Sequence, residues 1–298
     1  MSFGRTNKFF NKAMIITLGV IIGLYCVSLL VPIYWMITTS LKNGQLAYLQ
    51  NPIGLPIPIR FSNYKDTWRQ IYVQGVKDGR PGYYWIDALL FNSIFYSVVQ
   101  PAWSIFLTAC CAYTLAKYKN KFTSIIFAVG IFVFLTPTSG YFPAELLMKR
   151  ALGIWNNRFL YILTSPSAAF SGIIFLALYA VCKAIPWSFA EAVFMDGGGH
   201  FTVFWKIMFP LMLPAIISWY ILGFLGVWND TSVALIWLPG YPNLALGMVY
   251  FQEMSWLYNA TYPMIMAGMV VVIVPAVILF LLTQKLAFKR INVGGIKG

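Results

Sequence analysis

The sequence predicts an all-α membrane protein with six transmembrane helices. Of its 298 residues, 60% are hydrophobic and only 10% are charged, whereas an ordinary soluble domain is about half apolar and about a quarter charged. The apolar residues are gathered into uncharged runs that exceed the roughly 20 residues a helix needs to cross the hydrocarbon core. These runs predict spans at about 13–39, 88–115, 122–143, 159–182, 207–229 and 263–284.

The first apolar run is expected to be a retained span. It is longer than the apolar region of a signal peptide, and polar residues follow it instead of a small-residue cleavage site. Residues 42–87 are rich in Pro, Gly, Asn and aromatic side chains. Because Trp68, Tyr72 and Trp85 suit the aromatic belt at a membrane interface, this stretch is predicted to be an ordered outer cap.

The distribution of basic residues predicts the orientation. Lys and Arg accumulate on the cytoplasmic side of membrane proteins, which gives the formal net charge of +13 a simpler explanation than nucleic-acid binding. The segments expected to be cytoplasmic carry Arg5, Lys8 and Lys12 before span one, Lys117, Lys119 and Lys121 after span two, and several more in the tail at 285–298. Both termini are therefore predicted to be cytoplasmic.

The uncharged stretch Thr231–Gln252 is not predicted to be a seventh span. Pro239-Gly240-Tyr241-Pro242 interrupts it in the middle, and proline and glycine break a helix. A further crossing would also move the basic tail outside. A hairpin or a pair of short helices at the outer face is expected instead, and the absence of internal repeats predicts one domain over 1–298.

The segment 186–210, between spans four and five, has a distinctive order of residues. Pro186 can begin a helix, and Asp196-Gly197-Gly198-Gly199 must turn the chain. A second helix then has apolar residues at i, i+3, i+4 and i+7. These are Phe201, Phe204, Trp205 and Met208. The sequence predicts a short helix, a glycine turn and a second helix that project into the cytoplasm.

This segment resembles the EAA loop of binding-protein-dependent ABC importer permeases. The family pattern is Glu-Ala-Ala, three residues, Asp-Gly-Ala, and a spaced run that ends in two prolines. The matching residues are Glu191, Ala192, Asp196, Gly197, Phe204, Pro210 and Pro214. Val193 and Gly198 stand where the pattern has alanine. The resemblance implies a coupling loop that contacts the ATP-hydrolysing subunit, with Glu191 and Gly197 central. The implied interface residues are Glu191, Ala192, Asp196, Gly197, Gly198, Phe204 and Pro210.

Other short motifs resemble the carbohydrate-type permeases, in particular the smaller permease subunit of the maltose importer. In chain order they are Ser40-Leu41-Lys42, Phe61-Ser62-Asn63-Tyr64, Asn92-Ser93, Ala112-Tyr113 with Leu115-Ala116-Lys117, Trp228-Asn229-Asp230, and a glycine-rich tail with Gly294, Gly295 and Lys297. Their order and spacing match over nearly the whole chain. The resemblance also implies that the tail reaches toward the ATPase pair.

The resemblance implies a multi-pass subunit of a bacterial or archaeal inner membrane, forming half of the translocation pore of an ATP-driven importer of a sugar or oligosaccharide. The implied partners are a second permease subunit, two ATPase subunits, an extracytoplasmic solute-binding protein and the lipid bilayer. No phosphate-cradling Gly-x-x-x-x-Gly-Lys-Ser/Thr motif occurs in the sequence. This chain is therefore expected to be a transporter subunit and not an enzyme, and to bind no cofactor itself. ATP and Mg are expected to be used by the separate ATPase subunit.

Several side chains remain as secondary candidates. Asn92, Trp228, Asn229 and Asp230 are candidates for lining the pathway, because amides and aromatic rings suit sugars, although Asp230 and Glu145 at the ends of spans favour a structural role. His200 has no metal-ligand spacing to a partner and is expected to be a surface loop residue.

The sequence leaves other functions and the cargo open. The EAA pattern alone also fits permeases for amino acids, peptides or anions. An ion-coupled secondary transporter would normally have buried acids or inverted repeats, and an intramembrane enzyme would need a catalytic cluster. Basic residues in the outward segments are a weak indication of an acidic oligosaccharide.

Overall fold

The computed structural model describes residues 3–77, 80–136, 140–165, 169–257 and 259–287. The protein is mostly helical, as predicted. The chain divides into two compact units, and the single domain expected over 1–298 stays a prediction. Unit 1 consists of residues 1–71 and 251–273, and unit 2 consists of residues 72–250 and 274–298.

The elements follow one another as short and long helices with one pair of strands. Unit 1 contains α1 (Phe3–Ser40), α2 (Gly44–Gln50) and α3 (Ser62–Gln70). Unit 2 contains β1 (Tyr72–Lys77), β2 (Arg80–Trp85), α4 (Ile86–Lys117), α5 (Lys121–Leu135), α6 (Phe142–Ala151), α7 (Arg158–Thr164), α8 (Gly172–Ala184), α9 (Ser188–Met195), α10 (His200–Val203) and α11 (Phe209–Asn229). Helices α12 (Leu244–Glu253) and α13 (Tyr262–Ala287) each contribute residues to both units.

Four helices among the described residues are long and apolar enough to cross a membrane. They run over Asn11–Ser40, Ile86–Lys117, His200–Asn229 and Tyr262–Lys285. A fifth span results if α8 and α9, which are bent by 63° relative to each other, count as one broken span. The chain is thus a multi-pass helical protein, and the arrangement of six spans stays a prediction.

The predicted spans at 122–143 and 159–182 are not single helices. Helix α5 ends at Leu135, and its 15 residues cover only about 22 Å, short of the roughly 30 Å hydrocarbon core. The run at 159–182 is divided between α7, which ends at Thr164, and α8, which begins at Gly172. Pro137 and Pro166 lie just beyond the ends of α5 and α7. Proline cannot donate a backbone hydrogen bond. These two prolines are therefore local signals for the end of a helix, although both lie inside continuous apolar runs.

In unit 1, a polar network joins the end of α1 to the start of α3. The Asn63 side-chain amide donates to the carbonyl oxygens of Ser40 at 2.7 Å and Lys42 at 2.8 Å. The Lys42 ammonium donates to the carbonyl oxygens of Asn51 and Pro52. Lys42 is only 2% exposed, and burial lowers the pKa of its ammonium. Two of the motifs that carried the family resemblance are therefore connected to each other in the fold.

The core of unit 2 forms where α4 packs against α8 and α11. Its fully buried side chains include Ala109 and Ala112 from α4 and Phe175 and Leu178 from α8. Small residues allow the helices to approach closely. A Cβ atom on Gly223 of α11 would lie 3.1 Å from Pro101 Cβ of α4, so this crossing depends on the missing side chain.

The predicted outer cap contains an antiparallel hairpin that the sequence analysis did not anticipate. Strands β1 and β2 pair with Tyr72 opposite Trp85. The later segment 231–252 has two short helical pieces, as predicted, a π-helical turn at Val233–Trp237 and the start of α12. The Tyr84 hydroxyl donates to the Gly240 carbonyl at 2.7 Å. This contact joins the hairpin to the segment that contains the proline and glycine breakers.

Basic residues near α6 and α7 lie over aromatic rings. The Lys149 ammonium is 4.1 Å from the Trp237 ring centroid and 2.8 Å from a Glu145 carboxylate oxygen. The Arg158 guanidinium lies 5.0 Å from the Tyr241 ring centroid. Since these cations already have internal partners, they provide little support for an acidic cargo.

Candidate functional site

The segment 186–210 folds as a helix, a glycine turn and a second helix. Helix α9 follows Pro186, and the Trp187 carbonyl accepts hydrogen bonds from the backbone N–H groups of Ala190 at 2.8 Å and Glu191 at 3.2 Å. Ala190 is fully buried, whereas Glu191 and Ala192 are exposed. Helix α9 thus packs one side against unit 2 and leaves the Glu-Ala pair of the motif accessible.

The turn after α9 is a Schellman motif. The N–H group of Gly198 donates to the Val193 carbonyl at 2.8 Å, and that of Gly197 donates to the Phe194 carbonyl at 3.0 Å. These bonds satisfy carbonyl groups at the end of the helix that have no partner within it. Gly197 has a φ of +78°, a conformation that costs other L-residues about 1–2 kcal/mol. The Asp-Gly pair of the motif is therefore explained by the way the helix ends.

Gly198 has a second reason to be glycine. A Cβ atom at this position would lie 2.5 Å from Val193 Cγ1 and 3.0 Å from the Val193 carbonyl oxygen. Real Cβ atoms do not approach so closely, so one of the two side chains must be small. The two departures from the family pattern are thus in contact. The larger side chain of Val193 occupies the space that a side chain at Gly198 would need.

The second helix divides its apolar residues between the core and the surface. A π-helical turn at Phe204–Met208 separates α10 from α11. This turn inserts one residue into the helical period. Phe204, at 8% exposed, and Met208, at 0%, pack into the core, whereas Phe201 is 76% exposed. The four apolar residues predicted to share one face therefore differ in exposure. Phe204 is a core residue that packs beneath the exposed side of the segment.

A chain of hydrogen bonds joins this segment to the connection between α4 and α5. The Tyr118 hydroxyl lies 2.7 Å from His200 Nδ1 and 2.9 Å from the Tyr113 hydroxyl. The Lys117 ammonium donates to the carbonyl of Ile185, just after α8. His200 is exposed, but it is a bonded residue at the start of α10 and not an isolated loop residue. Tyr113 and Lys117 belong to a motif that carried the resemblance, and Lys117 also to the predicted cytoplasmic charges, whereas Tyr118 was not predicted to have a role.

The exposed surface of the segment 186–210 combines apolar side chains with two carboxylates. Met195 is 88% exposed and Phe201 is 76% exposed, and both lie beside the glycine turn. Glu191 and Asp196 are also exposed. Two large apolar side chains that are exposed beside an ordered turn are typical of a surface that another protein covers. Pro210, in the first turn of α11, is exposed as well.

The four residues predicted to line a pathway differ in their exposure and in their contacts. Asn92 is buried and its amide donates to the Pro242 carbonyl at 2.8 Å. Trp228 is 2% exposed and stacks on Phe224 with ring centroids 5.6 Å apart. Asn229 is exposed and donates to the Leu225 carbonyl, while Asp230 accepts from the backbone and hydroxyl of Ser232. Asn92 therefore joins α4 to the segment before α12, whereas the Trp228 stacking lies within α11 and the Asp230 bonds reach a residue only two positions on. The role of all four residues in a pathway stays a prediction.

Two further predictions concern the tail and metal ions. Gly294, Gly295 and Lys297 lie outside the described residues. Within the described part of the chain, no group of three or more His, Cys, Asp or Glu side chains could hold a metal ion.

The comparison with protein families decides the assignment. Residues 104–293 match the family model described as binding-protein-dependent transport system inner membrane component. The chain belongs to this family. The match spans the segment 186–210, so the motif that resembles the EAA loop lies within the matched part of the chain.

Curated relatives of this permease cover most of its length. The chain is 28% identical to the diacetylchitobiose uptake system permease protein NgcG of Streptomyces coelicolor, over 88% of this chain and 82% of the relative. It is 30% identical to the arabinooligosaccharides transport system permease protein AraQ of Bacillus subtilis, over 70% of this chain and 73% of the relative. Both relatives are named as permease subunits of uptake or transport systems for sugars.

A solved structure has the same fold. The permease matches a chain in the crystal structure of a bacterial ABC transporter involved in the import of the acidic polysaccharide alginate. The TM-score is 0.71 at 23% identity, and the match covers 95% of this chain and 98% of the other. At this identity the likeness establishes the fold and does not identify a cargo.

Proposed function

We propose that this permease forms half of the translocation pore of an ATP-driven, binding-protein-dependent importer of a sugar or oligosaccharide. The observation that carries the proposal is the family match over residues 104–293. The named cargoes of the relatives, diacetylchitobiose and arabinooligosaccharides, support a carbohydrate. The helical fold of the alginate importer supports the same architecture.

The coupling loop at 186–210 transmits movement of the ATPase to the permease. Met195 and Phe201 are the apolar anchors that enter a cleft of the ATPase subunit, and Glu191 and Asp196 form polar contacts around them. The exposure of these side chains beside a rigid turn supports this role. Desolvated apolar anchors with a polar surround are the usual arrangement of a strong protein contact.

The loop can transmit force because its inner side is fixed to the helices. Ala190 and Val203 are fully buried against the core of unit 2, and the Tyr118–His200 contact ties α10 to the end of α4. A displacement of the anchors therefore moves α4, α8 and α11 as packed bodies. Packed helices change between discrete arrangements, which we identify with the inward-open and outward-open states.

The remaining partners follow from this mechanism. A second permease subunit completes the pore, two ATPase subunits bind ATP and Mg, and an extracytoplasmic solute-binding protein delivers the cargo. The exposed apolar side chains along α1, such as Ile15, Leu24 and Leu30, require lipid or a partner helix. Six crossings with both termini in the cytoplasm place the coupling loop and the tail residues Gly294, Gly295 and Lys297 beside the ATPase.

Reconstitution into proteoliposomes tests this function. The permease is co-purified with its partner subunits, and ATP hydrolysis and uptake of radiolabelled oligosaccharides are measured with the binding protein outside. Uptake that requires both ATP and the binding protein is expected. Uptake that continues without ATP and stops when the ion gradient is removed would indicate a secondary transporter, and transport of amino acids or anions alone would refute the carbohydrate assignment.

A further inference from the structure

Unit 1 contains a cavity of about 510 Å³ that the coupling mechanism does not use. It lies between α2, the end of α12, the segment that follows it and the first turns of α13. Ligand pockets in proteins typically have volumes of roughly 300–1,000 Å³. The cavity is therefore large enough for part of an oligosaccharide, and its chemistry decides which part.

The cavity is lined by uncharged polar, aromatic and apolar side chains. The apolar ones are Ala260, Ile265, Met266 and Met269. Amide groups come from Gln45, Gln252 and Asn259, and two aromatic rings come from Trp256 and Tyr262. Trp256 is 76% exposed and Tyr262 is 49% exposed, so their rings are accessible. Amides can donate to and accept from hydroxyl groups, and aromatic faces suit the apolar C–H faces of a sugar ring.

One amide and one ring of the lining, those of Gln45 and Tyr262, are held in position before any ligand binds. The Gln45 side-chain oxygen accepts a hydrogen bond from the backbone N–H of Tyr262 at 3.0 Å. The Tyr48 and Tyr262 rings lie 5.1 Å apart, and the Ala260 N–H donates to the Ser255 carbonyl at 2.9 Å. The NH2 group of Gln45 makes no hydrogen bond within the described residues and can donate into the cavity. A preformed site loses less conformational freedom on binding.

The charge around the cavity distinguishes between neutral and acidic ligands. Among the described residues, no lysine or arginine lines it. The segment 251–273, which supplies most of the lining, has one charged residue, the acidic Glu253. A carboxylate ligand would lack a cation to pair with and would be repelled by the Glu253 carboxylate. The lining therefore fits an uncharged polyhydroxyl compound.

We propose that this cavity is a subsite for one neutral sugar unit of the transported oligosaccharide. The proposal rests on the carbohydrate-import function proposed above and adds a site on this subunit together with a preference for uncharged sugars. The Trp256 and Tyr262 rings bind the faces of the sugar, and Gln45, Gln252 and Asn259 bind its hydroxyl groups. The acidic polysaccharide named for the solved structure is not the class of ligand that this lining accepts.

Direct binding is tested on the complete importer in lipid nanodiscs without the binding protein. Saturation-transfer NMR is recorded with maltotriose, cellotriose and xylotriose as neutral probes and trigalacturonate as the acidic probe. At least one neutral trisaccharide should give a signal that Trp256→Ala and Gln252→Ala each reduce by up to about tenfold. Trp68→Ala and Gln50→Ala, exposed positions of unit 1 outside the cavity, are matched controls with no expected effect.

The same experiment can overturn the subsite. Equal signals from the wild type and both cavity variants, no signal from any neutral probe, or a stronger signal from trigalacturonate would each exclude it. Impaired stimulation of ATP hydrolysis by the binding protein, without any change in the neutral-sugar signal, would assign the surface to the binding protein instead.

Uptake measurements separate failure of the subsite from failure of the proposed function. If Trp256→Ala and Gln252→Ala raise the KM for a neutral oligosaccharide by up to about tenfold with a smaller effect on kcat, the subsite is supported. If the importer transports the sugar and KM is unchanged in both variants, only the subsite is refuted. An importer that transports no carbohydrate at all would refute the proposed function and the subsite with it.

Discussion

Val193 lies in the last turn of α9, beside Gly198 of the glycine turn, and the two residues compensate for each other in volume. The family pattern has alanine at both positions, and this chain has one larger and one smaller residue. The 2.5 Å approach that a Gly198 Cβ would make to Val193 Cγ1 explains why the two changes occur together. Two departures from a motif can therefore preserve the shape of the surface that the motif forms.

A double-mutant cycle tests this compensation. Gly198→Ala should destabilise the protein by about 1–3 kcal/mol, because the new methyl group overpacks against Val193. Adding Val193→Ala should restore most of the stability and the coupling of ATP hydrolysis to uptake. Thermal unfolding of the purified complex measures the effect, with Val193→Ala alone as the reference. Additive losses in the double variant would contradict the compensation.

The conformation of Gly197 leads to a different ranking of substitutions. Gly197→Asn should be tolerated better than Gly197→Val, because asparagine adopts positive φ at lower cost than a β-branched residue. We expect Gly197→Val to lower the stability of the loop by about 1–2 kcal/mol or more and to reduce transport. Limited proteolysis of the loop and sugar uptake measure the two effects. Equal behaviour of the two variants would mean that the turn does not require a left-handed residue.

At the scale of elements, α10 is held in place by residues that belong to another part of the sequence. Tyr118 follows α4, yet its hydroxyl bonds His200 at the start of α10. Phe204 and Met208 then fix the following π-helical turn in the core. The segment 186–210 is consequently tied to α4 and α11, which the proposed transmitting role requires.

Removing one hydroxyl group tests this connection. Tyr118→Phe should keep the aromatic contacts with Trp187 and His200 but lose the hydrogen bonds of its hydroxyl to His200 and Tyr113, each of which contributes about 0.5–1.5 kcal/mol. We expect less sugar transported per ATP hydrolysed, with the complex still assembled. The exposed Tyr25→Phe is the matched control. An unchanged ratio of transport to hydrolysis would show that the contact is structural only.

The cation–aromatic cluster of α6 gives a prediction about stability alone. Lys149 contacts the Trp237 ring and the Glu145 carboxylate with a side chain that is only 13% exposed. Lys149→Ala should therefore destabilise the protein by about 1–2 kcal/mol, whereas the exposed Lys65→Ala should have little effect. Thermal unfolding in detergent measures both. Equal unfolding temperatures would mean that the cluster contributes nothing measurable.

For the whole molecule, orientation in the membrane determines whether the coupling loop can meet an ATPase. Within the part of the chain that the structure describes, four apolar helices, or five with the bent pair, are long enough to cross a bilayer. The distribution of Lys and Arg predicts that the loop lies in the cytoplasm. The proposed function requires this orientation, because ATP is used on that side.

Cysteine labelling tests the orientation. In a variant lacking Cys26, Cys110, Cys111 and Cys182, a single Met195→Cys should react with an impermeant maleimide only in inside-out vesicles. Leu46→Cys, exposed in α2, should react only in right-side-out vesicles. Labelling of Met195→Cys from the outside would place the loop away from the ATPase and refute the coupling mechanism.

The sequence alone determined the membrane class, the helix–turn–helix of the coupling loop and the family. These features depend on local chemistry: uncharged runs that cannot be solvated, a glycine that ends a helix, and a fixed spacing of motif residues. The tertiary structure decided the features that depend on contacts between distant residues. It divided the run at 159–182 into two helices, buried Phe204 and Trp228, joined Tyr118 to His200, and formed the cavity between α2 and α13. A linear pattern predicts the period of a helix but not the residues against which the helix packs. Those contacts join residues that are far apart in the chain, and Gln45 and Tyr262 are more than 200 positions apart.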